Sequence, residues 1–198
     1  ERIGLAFNKK TLFIAYHPET QCPGLNRDRL EVLFDVLDSH HDVNLIFTKS
    51  NGDEEGRLLT SLIERYVQRN RHRAVLHASL GQPMFFSTLK LTNGIVGNSS
   101  SGIIEAPSLG VGTVNIGCRQ AGRVRGVTII DCESTQQSLS DALAVLFGKK
   151  FKGTLKLANN PYYRECPSRK IIEQLKNDSF LNILRKEFID GPINKEKP

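Results

Sequence analysis

Six short apolar runs rich in β-branched residues recur at residues 12–16, 43–48, 74–77, 94–97, 113–116 and 127–130, with amphipathic stretches between them. The runs are continuous rather than alternating in polarity, which is the pattern of strands buried on both faces of a parallel sheet. Leu30, Leu33, Phe34 and Leu37 mark one helical stripe between the runs, and Leu58, Leu59, Leu62, Ile63, Tyr66 and Val67 mark a second. A further helix is expected over residues 137–147, with Leu139, Leu143 and Leu146 inward. Repeated βα units with right-handed crossovers build a doubly wound α/β sheet of the Rossmann type. Ligands of such sheets sit at the C-terminal ends of the strands.

The chain has 198 residues, 39 % hydrophobic and 24 % charged, enough for one α/β domain with a buried core. We expect that domain to span residues 1–190, with a loop-rich stretch at 151–167, helices near 168–176 and 179–187, and a frayed tail at 191–198. No apolar run approaches the roughly 20 residues of a membrane span, and no signal peptide opens the chain, so a cytoplasmic protein is expected. The first residue is not methionine and folded-looking sequence begins at once, as in a domain excised from a longer chain. Cys22, Cys118, Cys132 and Cys166 form no C-x-x-C pair, so reduced, structural thiols are expected and no metal site is signalled. The net charge of +6 admits a nucleic acid, an anionic ligand or a solvated surface. Arg69, Arg71 and Arg73 cluster, but aromatics are only 7 % and none interleaves with a basic stripe, so a solvated helix end is the more economical reading than nucleic-acid binding.

Chemistry concentrates after the strands. Gly97-Asn98-Ser99-Ser100-Ser101-Gly102 follows an apolar run and precedes a helical Ile103-Ile104-Glu105-Ala106. Free N–H groups at a helix N-terminus attract an anion, so the segment reads as a phosphate cradle, although taken alone serine capping explains it better. It is neither a Walker A loop nor G-x-G-x-x-G. Glu105 stands seven residues after Asn98, two turns along the same face, where it accepts from ribose hydroxyls or complements the helix dipole. Asn115-Ile116-Gly117-Cys118-Arg119-Gln120-Ala121-Gly122-Arg123 is a second glycine-flanked strand end. Its arginines suit phosphate oxygens; Arg119 reads as functional, and Arg123 equally as ligand-binding or solvated. His17 and Glu19 follow the first strand, where Glu19 pairs with His17 or faces solvent. Asn51 follows the second strand, and Ser79-Leu80-Gly81 the third; on spacing alone these are ordinary loop residues.

The segments HPET (17–20), GNSSSGIIEAPSLG (97–110) and NIGCRQAGR (115–123) resemble the C-terminal domain of hydrolysing UDP-N-acetylglucosamine 2-epimerases, over residues 11–131. The HRREN and D-S-G-G-x-Q-E-E patterns of the non-hydrolysing relatives are absent. Asn160-Pro161-Tyr162 matches a family-like N-P-Y, whereas Tyr163 to Pro167 replaces a glycine-rich continuation. The resemblance implies one half of a glycosyltransferase-B-like, two-domain clamp that holds UDP. It implies that His17 contacts the phosphates and assists UDP departure, that Asn51 lines the nucleotide cleft, and that Ser79 and Leu80 flank the uracil. Ser99 and Ser100 would bind the diphosphate, Glu105 the ribose, and Arg119 the phosphate charge, with Arg123 nearby.

The implied reaction converts UDP-N-acetylglucosamine and water to N-acetylmannosamine and UDP, without cofactor or metal. The principal carboxylates would belong to an N-terminal half missing from this chain, and the full-length form is expected to be a homo-oligomer. A UDP-sugar glycosyltransferase of the same architecture and a non-catalytic UDP-binding module remain alternatives.

Overall fold

The computed structural model describes residues 3–19, 24–50, 52–155 and 160–177, which divide after Tyr163 into two compact units. In the first unit six strands form one sheet: β1 (Lys10–Ala15), β2 (Val43–Thr48), β3 (Ala74–His77), β4 (Gly94–Gly97), β5 (Thr113–Ile116) and β6 (Ile129–Cys132). Their order is β3-β2-β1-β4-β5-β6, and every neighbouring pair is parallel. This is the doubly wound arrangement that the continuous apolar runs imply, and the strand order reverses between β1 and β4. A crevice opens at such a switch point, outside the carboxyl ends of the strands.

The interleaved helices are α1 (Asn26–Asp38), α2 (Glu54–Arg69), α3 (Gly81–Leu89), α4 (Ser100–Ile104), a 3-10 turn (Ala106–Leu109), α5 (Gln136–Phe147) and α6 (Lys149–Leu155). Alternate residues of β1 serve opposite faces of the sheet. Leu12, Ile14 and Tyr16 join the layer formed by Leu30, Leu33 and Leu37 of α1, Leu59, Leu62 and Ile63 of α2, and Leu139 and Leu143 of α5. Phe13 and Ala15 face the other way, with Leu89 of α3 and Ala106. Side-chain caps fix three helix starts: Asp53 accepts from the Gly56 amide at 2.6 Å, Ser99 from the Ser101 amide at 3.4 Å, and Thr135 from the Ser138 amide at 3.3 Å. The second unit contributes α7 (Pro167–Asn177), which matches the helix expected at 168–176; the expected helix at 179–187 and the tail lie outside the described residues.

Several details differ from expectation. The last strand starts two residues later than the apolar run, because Thr113 pairs with Ile129 and Asn115 with Asp131, while Val127 is left 66 % exposed. Leu58 is exposed rather than part of the inner stripe of α2. Lys149–Leu155 is helical although a loop was expected from residue 151, with Phe151 packed against the core. The arginine cluster is not wholly solvated. Arg73 is buried, its Nη2 donating to Asp38 Oδ1 at 2.6 Å and to the Tyr66 hydroxyl at 2.9 Å, and its Nη1 to the carbonyls of Leu37 and His40. It locks the turn after α1 to the end of α2, and burial together with Asp38 pushes the Tyr66 hydroxyl above its usual range.

Candidate functional site

Past Ala15 and Gly97, the last paired residues of β1 and β4, the two strands stay in contact through Asn98. Gly97 has φ +139°, a left-handed conformation in which a Cβ would collide with the Ala15 carbonyl, so only glycine makes this turn. Asn98 is then buried, with its side-chain amide bonded to the backbone of His17: Oδ1 accepts from the His17 amide at 2.8 Å and Nδ2 donates to the His17 carbonyl at 2.8 Å. From the next strand end, Arg119 Nη1 at 3.1 Å and Gln120 Nε2 at 2.8 Å both donate to the Asn98 carbonyl. The ends of β1, β4 and β5 therefore meet at one residue.

Beside this junction lies a cavity of about 460 Å³. His17, Ser79, Leu80, Ser99 and Glu105 line it, with Phe85, Phe86 and Ser101. Its floor mixes aromatic surface, suited to a flat ring, with hydroxyls and one carboxylate. Helix α3, which carries Phe85 and Phe86, was not anticipated from the sequence; Phe85 is held edge-on against Phe13 with ring centroids 5.2 Å apart. Ser100 starts α4 but stands outside the cavity lining, and Ser101 takes that place. Arg119 and Arg123 are both exposed and outside the lining, but Arg119 is bonded to the Asn98 carbonyl beside Ser99 and near enough to His17 to oppose its protonation. Asn51 lies outside the described residues.

Glu105 stands between two short helical segments, as the C-terminal cap of α4 and the N-terminal cap of the 3-10 turn. Helix α4 ends at Ile104, and the Glu105 side chain accepts no capping hydrogen bond from the 3-10 turn that follows. Nor does Asn98 share its face, since the Asn98 side chain points to His17. The C-terminal end of α4 and the four-residue 3-10 turn give the carboxylate little help from a helix dipole, and among the described residues Glu105 Oε2 is buried with no hydrogen-bond partner. Glu105 also lines the cavity, so a carboxylate with one unsatisfied oxygen stands beside it as a candidate acceptor. With only five residues in α4, the helix field at the serine loop is also slight, so attraction for an anion falls chiefly to Arg119 and the free backbone N–H groups.

His17 is held neutral. Burial first, and Arg119 second, bring its imidazole down to about 4, against an opposing pull from Asp53. The Ser50 hydroxyl lies 3.4 Å from Nδ1. A neutral imidazole that turns one N–H into the cleft can donate to an oxyanion without first losing a proton. Glu19, expected to pair with His17 or face solvent, does neither: it is buried against Arg29, with Oε2 2.5 Å from Nη1. Among the cysteines described, Cys118 and Cys166 are exposed and only Cys132 is buried, where desolvation pushes its thiol up to about 12.

Fold and cleft together define a doubly wound α/β domain that presents an anion-directed, partly aromatic crevice at its topological switch point. The chain belongs to the UDP-N-acetylglucosamine 2-epimerase family, whose model matches residues 2–176. It is similar to the GDP/UDP-N,N'-diacetylbacillosamine 2-epimerase (hydrolyzing) of Campylobacter jejuni, 39 % identical over 187 residues that cover 94 % of this chain and 48 % of that protein. It is 29 % identical to the polysialic acid biosynthesis protein P7 of Escherichia coli, over 92 % of this chain and 46 % of that one. The chain thus spans about half the length of these relatives. In fold it resembles the crystal structure of the UDP-GlcNAc 2-epimerase from Neisseria meningitidis bound to UDP-GlcNAc, with a TM-score of 0.69 at 16 % identity, covering 88 % of this chain and 46 % of the other. Among the described residues no helix is long and apolar enough to cross a membrane.

Proposed function

We propose that this chain is the nucleotide-holding, C-terminal half of a cytoplasmic, homo-oligomeric hydrolysing UDP-N-acetylglucosamine 2-epimerase. The observation that carries the reading is the convergence of His17, Ser79, Leu80, Ser99 and Glu105 on one cavity, with Arg119 bonded to the Asn98 carbonyl next to Ser99. Phe85 and Phe86 offer a surface for the uracil, Glu105 accepts from the ribose hydroxyls, and Ser99 with Arg119 takes the diphosphate.

In the reaction the C2 proton leaves and the bond between the anomeric carbon and the diphosphate oxygen breaks, giving a glycal and UDP. Water then adds across the double bond, with hydroxyl at C1 and a proton delivered to the opposite face of C2, to yield N-acetylmannosamine. UDP departs with growing negative charge, which Arg119 and a neutral His17 N–H stabilise from preset positions. The base at C2 belongs to the half of the parent protein absent here. The name of the Campylobacter relative extends the candidate sugars to a 4-acetamido-4,6-dideoxy analogue, distinguished in that absent half.

Calorimetric titration of this chain with UDP tests the reading: saturable binding is expected, and an absence of both heat and thermal shift at about millimolar UDP, where even a half-formed cleft should respond, rejects it.

A further inference from the structure

We infer that Asn98 is a positioning residue whose side-chain amide fixes the backbone of His17 and whose carbonyl seats Arg119, so that imidazole and guanidinium address the cleft as one unit. The inference rests on the proposed reading for the ligand, but not for the geometry.

The chemistry of the position selects asparagine. His17 presents one backbone donor and one backbone acceptor, and the planar amide of Asn98 answers both at 2.8 Å, continuing the β1–β4 pairing one step past Ala15 and Gly97. Aspartate would set a negative oxygen against the His17 carbonyl, and leucine would leave both backbone groups unsatisfied in a buried place. Glutamine would push the same amide a methylene further, into space that a fully buried site does not offer. The backbone of Asn98 is itself held, its amide donating to the Ala15 carbonyl at 3.1 Å. Arg119 is otherwise an exposed side chain, and its bond to the Asn98 carbonyl limits where its charge can lie. The groups that set the charge around His17 are Arg119, which opposes protonation, and Asp53, which favours it.

The test uses this chain with UDP as probe and the assigned ring resonances of His17 followed by NMR. The wild type is expected to titrate near 4. In Asn98→Ala the loosened imidazole should gain water and lose Arg119, so its midpoint should climb toward the ordinary value of about 6.5. The dissociation constant for UDP should rise about tenfold or more, equivalent to about 1.4 kcal/mol. Asn98→Asp should weaken UDP binding at least as much. A cooperatively folded Asn98→Ala with unchanged titration and unchanged UDP affinity would overturn the assignment. If neither variant folds, the wild type decides: its Asn98 side-chain N–H should be strongly protected from hydrogen exchange, and exchange at the rate of an exposed amide overturns the assignment. If the wild type binds no UDP, the nucleotide reading fails, while the His17 titration still judges Asn98.

Discussion

Glu19 Oε2 sits 2.5 Å from Arg29 Nη1, with the glutamate side chain only 1 % exposed. The Cys118 thiol donates to the same oxygen at 3.4 Å. Oε1 lies against Gly117, whose φ of +70° and lack of a Cβ let the carboxylate in. The pair thus braces the loop after β1 against α1 and against the loop that carries Arg119. Removing the cation strands a buried charge, which costs far more than the intact pair contributes. Arg29→Ala should therefore lower stability by about 3 kcal/mol. Arg29→Met with Glu19→Gln should recover much of the loss, because no charge is then left buried. Denaturant midpoints of the two variants check this, and equal losses would count against a bracing ion pair.

The depressed His17 implies a pH dependence with a definite sign. Its folded value is about 4, against 6.5 when unperturbed. Between these values the unfolded chain binds a proton that the folded chain refuses. Its contribution is therefore fully present above the unfolded value and is lost as pH falls toward the folded one. His17→Gln abolishes that loss. Measured at about pH 7.5 and about pH 4.5, the stability of wild type should fall by more than that of the variant. Parallel losses would mean that His17 titrates normally.

Arg119 is exposed and, among the described residues, hydrogen-bonds to a single carbonyl, so folding should hardly notice its removal. Arg119→Ala should weaken UDP binding by about 1.5–3 kcal/mol, the range for a charged hydrogen bond. Arg119→Lys should also be impaired, since an ammonium cannot reproduce the planar fork. Titration calorimetry reads both, and an unaltered dissociation constant in either variant contradicts a diphosphate contact.

What the sequence made legible follows from range. Continuous apolar runs declare strands covered on both faces, and all six lie within two residues of where they were expected, the last shifted by two at both ends. The sixth slipped because the run starts at Val127 while the ladder accepts polar Asp131, whose Oδ1 takes a 2.6 Å bond from Asn115. Helix α3 was missed because Gly81-Gln82-Pro83 reads as a turn and the adjacent Phe85 and Phe86 mark no single stripe. The ends of β3 and β4 were legible from glycine and hydroxyl residues, that of β5 from glycines with arginines, and that of β1 from the place of His17 directly after the apolar run. The roles of Asn98, Glu19 and Arg73 were not readable. Their partners stand 81, 10 and 35 residues away, and nothing local distinguishes a polar residue that will be buried and satisfied from one left in solvent.

Glu105 carries the sharpest discrimination. Its place between the C-terminal end of α4 and a four-residue 3-10 turn leaves the dipole a weak reason for a carboxylate, and among the described residues its buried Oε2 has no hydrogen-bond partner. Glu105→Gln keeps one acceptor oxygen and deletes the charge. Because no favourable charge interaction is lost, the denaturation midpoint should stay level or rise. Ribose hydroxyls donate more strongly to a carboxylate than to a neutral amide, so UDP binding should weaken by about 1–3 kcal/mol. Pyrophosphate, which lacks the ribose, should bind the variant at least as well as the wild type, relieved of a nearby negative charge. Calorimetry with both ligands, beside one denaturation curve per protein, separates the cases. Equal weakening of UDP and pyrophosphate would move Glu105 to the architecture of the serine loop, and a destabilised variant that binds both normally would make it structural alone.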